Sequence, residues 1–502
     1  MSPRYHLQWL VLTLCLTTGL RSPAEETRLR HVIPGKNEAT ATLRVFAAQP
    51  TGNRIPPFIT GKFPAHLGQN IHHGMFAQIL HNPTLAPFPF AAEGMNPDGA
   101  AIFKADRESI KESLRQYGAR SGRAASAWAA GNRPELALQF TNHDVSAELQ
   151  AALNAAPDGS TIKLPAGQWQ LSKPVTPRGN VALEGTPGET ILTLTATNHG
   201  NPVLLEFPVG TTNVRVETMI FDGGGQNFSN PHPLIAATAG TNIVFTAITV
   251  RNSRGMGLLL QGGMQHSGVR NSHFFNLGNH WKATLDKADR IQGLVFCCGE
   301  GNTDNFATGN AFEDIGLDAL QIGDQVRFLA ASNTFNLGNQ QFELVIAPDY
   351  PAGIFILHSA EVVVTGNTIF SAAGNGIDAP GLQTAGLSNN VISGCGGCGI
   401  GLFLGYDGVR QTHGVAVIHN TITDNVRWSQ SSFLGGITIS GGTPGDIVIS
   451  DNVVTDTHDR KTQTYGIQVR DQTIVTGLRI DHSNRLAGNR LGELNGADYE
   501  TP

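Results

Sequence analysis

From about residue 235 the chain repeats one hydrophobic pattern. A glycine opens a short burst in which every second residue is apolar, as in Gly257-Leu-Leu-Leu, Gly353-Ile-Phe-Ile, Gly376-Ile-Asp-Ala, Gly399-Ile-Gly-Leu, Gly436-Ile-Thr-Ile and Gly466-Ile-Gln-Val. Between the bursts an Asn recurs before small or apolar residues, at Asn252, Asn271, Asn310, Asn333, Asn367, Asn390, Asn420 and Asn452. Glycine to Asn is 14 residues in several cases and Asn to the next burst is 9, so the unit is 23 residues, lengthened in places by insertions. Such a unit has period-2 strands and no helical period. It cannot bury a face alone, so units must stack. The predicted architecture is an all-β, right-handed parallel β-helix solenoid, with neighbouring coils about 4.8 Å apart. In this reading the Asn residues take the left-handed turn conformation and hydrogen-bond the next coil. Upstream, Asp144 followed by Val145, Leu149, Ala152, Leu153 and Ala156 at helical spacing predicts a capping helix over the N-terminal end.

Aligning the bursts produces columns. Leu258, Leu294, Leu320, Ile354, Ile377, Ile400, Ile437 and Ile467 form one inward column. Leu260, Phe296, Ile322, Ile356, Ala379, Leu402, Ile439 and Val469 form the second. The outward column between them includes Gln321, Phe355 and Asp378, and three places on, at the strand end, stand Gly262, Cys298, Asp324, His358 and Gly381. Asp324, His358 and Asp378 thus fall on three successive coils as candidate catalytic groups: two carboxylates for general acid and base, with an imidazole between them. Aromatic and charged residues in the insertions suit a sugar chain, by stacking and hydrogen bonding. They are Trp281, Lys282, Tyr350, Tyr406, Asp407, Arg410 and Trp428.

The stretch Leu149–Gly185 and the repeats from Gly353 to Asn452 resemble the pectate-lyase-like superfamily of parallel β-helices with sugar-hydrolase-associated repeats. That resemblance implies a carbohydrate-active chain but does not choose among lyase, glycosidase, epimerase and non-catalytic members. Asn302-Thr303-Asp304 is similar to the triplet that opens the catalytic set of polygalacturonase-like hydrolases, which adds Asp304 as a candidate. The remaining motifs of that set are absent. A lyase reading implies an Arg or Lys base and calcium. Lys282, Lys287, Arg327, Arg410 and Arg427 are available as bases, but no Asp/Glu calcium cluster is visible, so no metal ligand is assigned. Residues 61–83, opening Gly61-Lys-Phe-Pro-Ala-His-Leu-Gly, faintly resemble the start of α-L-arabinofuranosidases, with Ala65 in place of their substrate-binding Glu and no barrel following.

Composition narrows the remaining choices. Of 502 residues 59 are Gly and only 15% are charged, which excludes coiled coils and charged disordered tails. Residues 1–24 carry Arg4, a mainly apolar run and Ser22-Pro23-Ala24, the pattern of a cleaved leader and a secreted or periplasmic product. Its loss takes the net charge from −6 to −8, which gives no support for nucleic-acid binding. No later run predicts a membrane span. The expected divisions are 1–24 leader, 25–140 accessory segment and linker, 141–490 solenoid and 491–502 tail. Cys298 and Cys395 fall about four coils apart, too far to pair, so any disulfide is local. The expected protein is a monomer acting on a plant- or algal-type, possibly uronate-containing polysaccharide as hydrolase or lyase. A C5-epimerase and a non-catalytic carbohydrate-binding β-helix are the alternatives.

Overall fold

The computed structural model describes residues 94–95, 101–102, 135–195, 203–225, 232–278, 292–340, 351–403, 412–428, 432–470 and 473–499. The chain divides into two units, residues 1–114 and 115–502. Of the first, a short antiparallel pair is described, Gly94–Met95 with Ala101–Ile102. The leader and most of the accessory segment lie outside the described residues.

The second unit winds through three parallel sheets of 12, 11 and 13 strands, so that each coil contributes one strand to each sheet. The bursts form the 11-stranded sheet in the register read from the sequence. Leu258 pairs with Leu294, Leu294 with Leu320, Leu320 with Ile354, Ile354 with Ile377, Ile377 with Ile400, Ile400 with Ile437 and Ile437 with Ile467. Both inward columns are buried in one core that runs from Val145 to Leu486. Aromatic residues stack along this interior, with Phe274 on Phe312 and Phe312 on Phe335 at 5.0 and 4.7 Å. The glycine opening each burst answers to the coil spacing. A Cβ at Gly376 would stand 2.7 Å from the carbonyl oxygen of Gly399 in the next coil, closer than backbone tolerates.

The helix spans Ser146–Ala155 and buries Leu149 and Leu153. Val145, not Asp144, stands at the N-cap, while the Asp144 carboxylate accepts from the Ser146 N–H (3.1 Å) and the Ser172 hydroxyl (2.6 Å). Gln150 exchanges hydrogen bonds with the backbone of Thr176, beside the point where Val175 bridges to Leu205 of the 11-stranded sheet. The helix therefore takes, in its coil, the place that later coils give to a strand, and its Leu149 and Leu153 pack into the core.

The Asn column needs a correction. Asn310, Asn333, Asn367, Asn390, Asn420 and Asn452, joined by Asn484, form one buried ladder in which each side-chain oxygen accepts from the backbone N–H of the Asn one coil earlier. Their φ angles are not positive. Before the first six the left-handed residue is the preceding one: Gly309, Ser332, Gly366, Asn389, His419 and Asp451. Asn271 is itself left-handed (φ 51°), and its neighbour Ser272 holds the ladder position, donating its N–H to Asn310. Asn252 belongs to another column, where it bonds Asp222 and Asn276. A left-handed turn and an inward amide are separate demands, and adjacent residues meet them.

Candidate active site and its relatives

The register of the 11-stranded sheet sets Asp324 beside His358, one residue beyond the Gly323 to Leu357 pair. His358 Nδ1 stands 3.6 Å from Asp324 Oδ1, just outside hydrogen-bond reach. The His358 and Asp324 side chains are 34% and 40% exposed. His358 Nε2 is shielded from bulk water and has no hydrogen-bond partner. Catalytic hydrogen bonds of this kind often tighten only when substrate binds.

The backbone at this edge is left-handed. Gly262, Cys298, Asp324, His358, Gly381 and Gly441 follow one another along the strand ends, and all have φ between 52° and 90°. Glycine fills such a position at no steric cost, whereas an L side chain there costs about 1–2 kcal/mol. Three successive coils carry that cost with a Cys, an Asp and a His, as other turns of the solenoid do with Ser332, His419 and Asp451, so the conformation belongs to the turn and assigns no chemistry by itself.

Asp378 is placed differently. It pairs with Phe355, three residues before the His358 column, and is only 3% exposed. It is therefore about 10 Å from Asp324 along the strand direction and about 10 Å along the solenoid axis. That exceeds the roughly 6.5–9.5 Å between the carboxyls of an inverting glycosidase. Counting coils alone omits the lateral offset.

Asp304 lies three residues further round the coil, held by Arg327 through a two-pronged contact at 2.7 and 2.9 Å, with His266 Nδ1 at 3.9 Å. Burial works to raise its carboxyl, but the guanidinium hydrogen bonds and charge outweigh it and hold it below the ordinary range. A carboxylate lowered in the folded state stabilises above its unfolded value, and that contribution is lost as pH falls through the folded one. Arg327→Gln should cost under about 1 kcal/mol near neutrality, because the pair is partly exposed. The gap in unfolding midpoint between wild type and variant should narrow from about pH 6 to about pH 3. A constant gap would remove the assignment.

Of the expected sugar-contacting residues, Trp281, Lys282, Tyr350, Tyr406, Asp407 and Arg410 lie outside the described residues. Trp428 is 39% exposed, and its N–H donates to the Gly396 carbonyl on the loop leading to Ile437–Ser440, at the opposite edge of the sheet from Asp324. Among the described residues the group suited to a metal ion is Asp424, Asp456 and His458. Asp456 already accepts from the N–H groups of His458, Thr462 and Gln463, and Asp424 from the N–H and hydroxyl of Thr457. Calcium needs six to eight oxygens; carboxylates committed to a turn in this way do not fit it.

Cys298 stands at the same strand edge as Asp324, one coil before it. Cys297 and Cys298 form a disulfide between adjacent residues, whereas Cys395 and Cys398 are free and buried. Burial pushes the Cys395 thiol up to about 12, as for an inert core side chain.

None of the curated proteins is detectably similar to this chain in sequence. Among solved structures, the A-module of the mannuronan C-5 epimerase AlgE4 of Azotobacter vinelandii aligns at 17% identity and a TM-score of 0.45, covering 70% of this chain and 93% of the module. A family 28 exopolygalacturonase of Yersinia enterocolitica aligns at 11% identity and 0.46, covering 74% and 80%. A tailspike protein of the E. coli bacteriophage HK620 aligns at 16% and 0.49, covering 82% and 72%. The model of the right-handed β-helix region matches residues 224–384 and 352–484, just over half of the chain, and the protein belongs to that right-handed parallel β-helix family.

Proposed function

We propose that this protein acts on a uronate-containing polysaccharide by proton transfer at the His358–Asp324 pair, as a lyase or C5-epimerase and not as a two-carboxylate hydrolase. One observation carries the reading: an imidazole faces a single partner carboxylate, and the second expected carboxylate, Asp378, is offset and buried. Asp324 stands beside the ring at Nδ1, and the imidazole is the group that takes a proton. A neutral imidazole removes a carbon-bound proton only where a neighbouring carboxylate acidifies it, which selects a uronate and its C5 position. The proton goes to His358 and its electron pair stays on carbon. Elimination then breaks the C4–O bond, forms C4=C5 and lets the departing oxygen take a proton from the imidazolium or water, whereas epimerisation takes a proton from water on the opposite face and the imidazolium releases its own to solvent. Residues 1–24 and the adjacent-cysteine disulfide support export to an oxidising compartment.

The test is incubation of the full chain with neutral and uronate polysaccharides, following unsaturated-uronate absorbance, uronate configuration and reducing ends. Absorbance or a configuration change confined to uronates is the expected result. Reducing ends without unsaturation would make it a hydrolase, and no product from any polymer would leave the non-catalytic binding reading in its place.

A further inference from the structure

We infer that the Cys297–Cys298 disulfide is a sugar-binding platform that seats the polymer residue next to the one held at His358 and Asp324; this rests on the polysaccharide reading above. The location comes from the sheet register. Cys297 pairs with Gln261 on one side, and on the other the Phe296 to Ile322 pair places Cys297 beside Gly323 and Cys298 beside Asp324. The backbone of the ring closed by the two cysteines is thus one coil, about 4.8 Å, from that of Asp324. That step is comparable with one sugar residue of a polymer running along the solenoid axis.

Among the described residues, glycines of the neighbouring coils flank the ring, and Cys298 is its exposed half. Gly262 and Gly263 occupy the preceding coil, Gly299 and Gly301 follow the cysteines, and Gly323 lies on the next coil. A Cβ at Gly323 would meet Cys297 Cβ at 3.4 Å, and one at Gly299 would meet Gly262 Cα at 3.4 Å, so backbone packs closely around the ring. Cys297 is buried in a small apolar cluster with Met256 and Val295, with Leu259 packed alongside. This cluster lies outside the main core, on the outward face of the sheet. Cys298, in contrast, is exposed and left-handed at φ 63°.

A fixed, polarisable surface without hydrogen-bonding demands suits the C–H face of a pyranose, which gains dispersion contacts there while its hydroxyls stay in water. Free cysteines would be mobile and polar-tipped at the same place, so the ring closure is what supplies the flat contact.

The experiment uses the full chain carrying Asp324→Asn, which removes turnover and allows binding to be measured with hexamers of galacturonate and of mannuronate. Adding Cys297→Ala and Cys298→Gly, or reducing the Asp324→Asn protein with a phosphine, should weaken hexamer binding about three- to tenfold, the loss of one apolar stacking contact. Glycine at 298 keeps the left-handed turn, and reduction provides the same reading should the double substitution lower the unfolding midpoint. Hexamer binding unchanged by both treatments overturns the platform while leaving the His358 reading intact. Absence of binding to any uronate or neutral hexamer before either treatment overturns the platform and the polysaccharide reading together.

Discussion

Replacing His358 with glycine is expected to lower turnover on the active uronate polymer by about 10²- to 10⁴-fold, the range for losing a positioned general base, with the unfolding midpoint almost unmoved. The two halves of this expectation have separate causes. Loss of activity follows from removing the imidazole that faces Asp324. Retained stability follows from the backbone: His358 has φ 52°, and Gly262, Gly381 and Gly441 already fill the same column in other coils. Glycine relieves about 1–2 kcal/mol of left-handed cost and adds back up to about 1 kcal/mol of unfolded-chain freedom. The measurement is initial rate together with a urea unfolding curve. A turn residue with no chemical role would give a fully active glycine variant, and that result would sink the dyad. Asp324→Asn, whose side chain also tolerates the left-handed region, should show a similar loss if Asp324 sets the ring orientation.

How much of this was legible in the sequence follows from what the fold repeats. Every coil encodes its own inward residues, so the pairing of Leu320 with Ile354 and of Ile354 with Ile377 could be read by alignment of the chain with itself. The juxtaposition of Asp324 and His358 came from the same alignment. Asp378 shows the limit of counting coils, since position along the strand separates it from His358 as much as the axial step does. Burial of the outward column was not legible either. Val295, Phe355 and Asp378 alternate outward as surface residues would, yet all three are nearly inaccessible. Period-2 alternation reports which face a side chain occupies, not what covers that face. The insertions repeat nothing, and for that reason their aromatic and cationic residues could be named from the sequence but not placed by it. The adjacent cysteines were visible as a pair, but their meaning depended on the glycines of neighbouring coils, and only the register connects them.

The neighbouring residues Asn389 and Asn390 offer the sharpest test of the fold itself, because one chemical group serves two unrelated purposes. Asn389 is exposed with φ 55°; Asn390 is buried. The Asn390 side-chain oxygen accepts from the N–H and Nδ2 of Asn367, and its Nδ2 donates to the Val364 carbonyl and to Asn420 Oδ1. Asn390→Ala removes all four contacts and leaves the Asn367 N–H facing a vacancy inside the core. With about 1–3 kcal/mol for each buried group left unsatisfied, the loss should reach about 3–5 kcal/mol, a large share of the 5–15 kcal/mol typical of a domain. Asn389→Gly should be nearly neutral, since glycine adopts the same φ freely. Urea midpoints for the two variants therefore belong at opposite ends of the range, and amides of the coils beside Asn390 should exchange fastest, because a solenoid transmits a local defect mainly to its nearest neighbours. Equal effects at the two positions would mean that the ladder contributes no more than a turn does, and that stacking of apolar columns alone sets the stability of these coils.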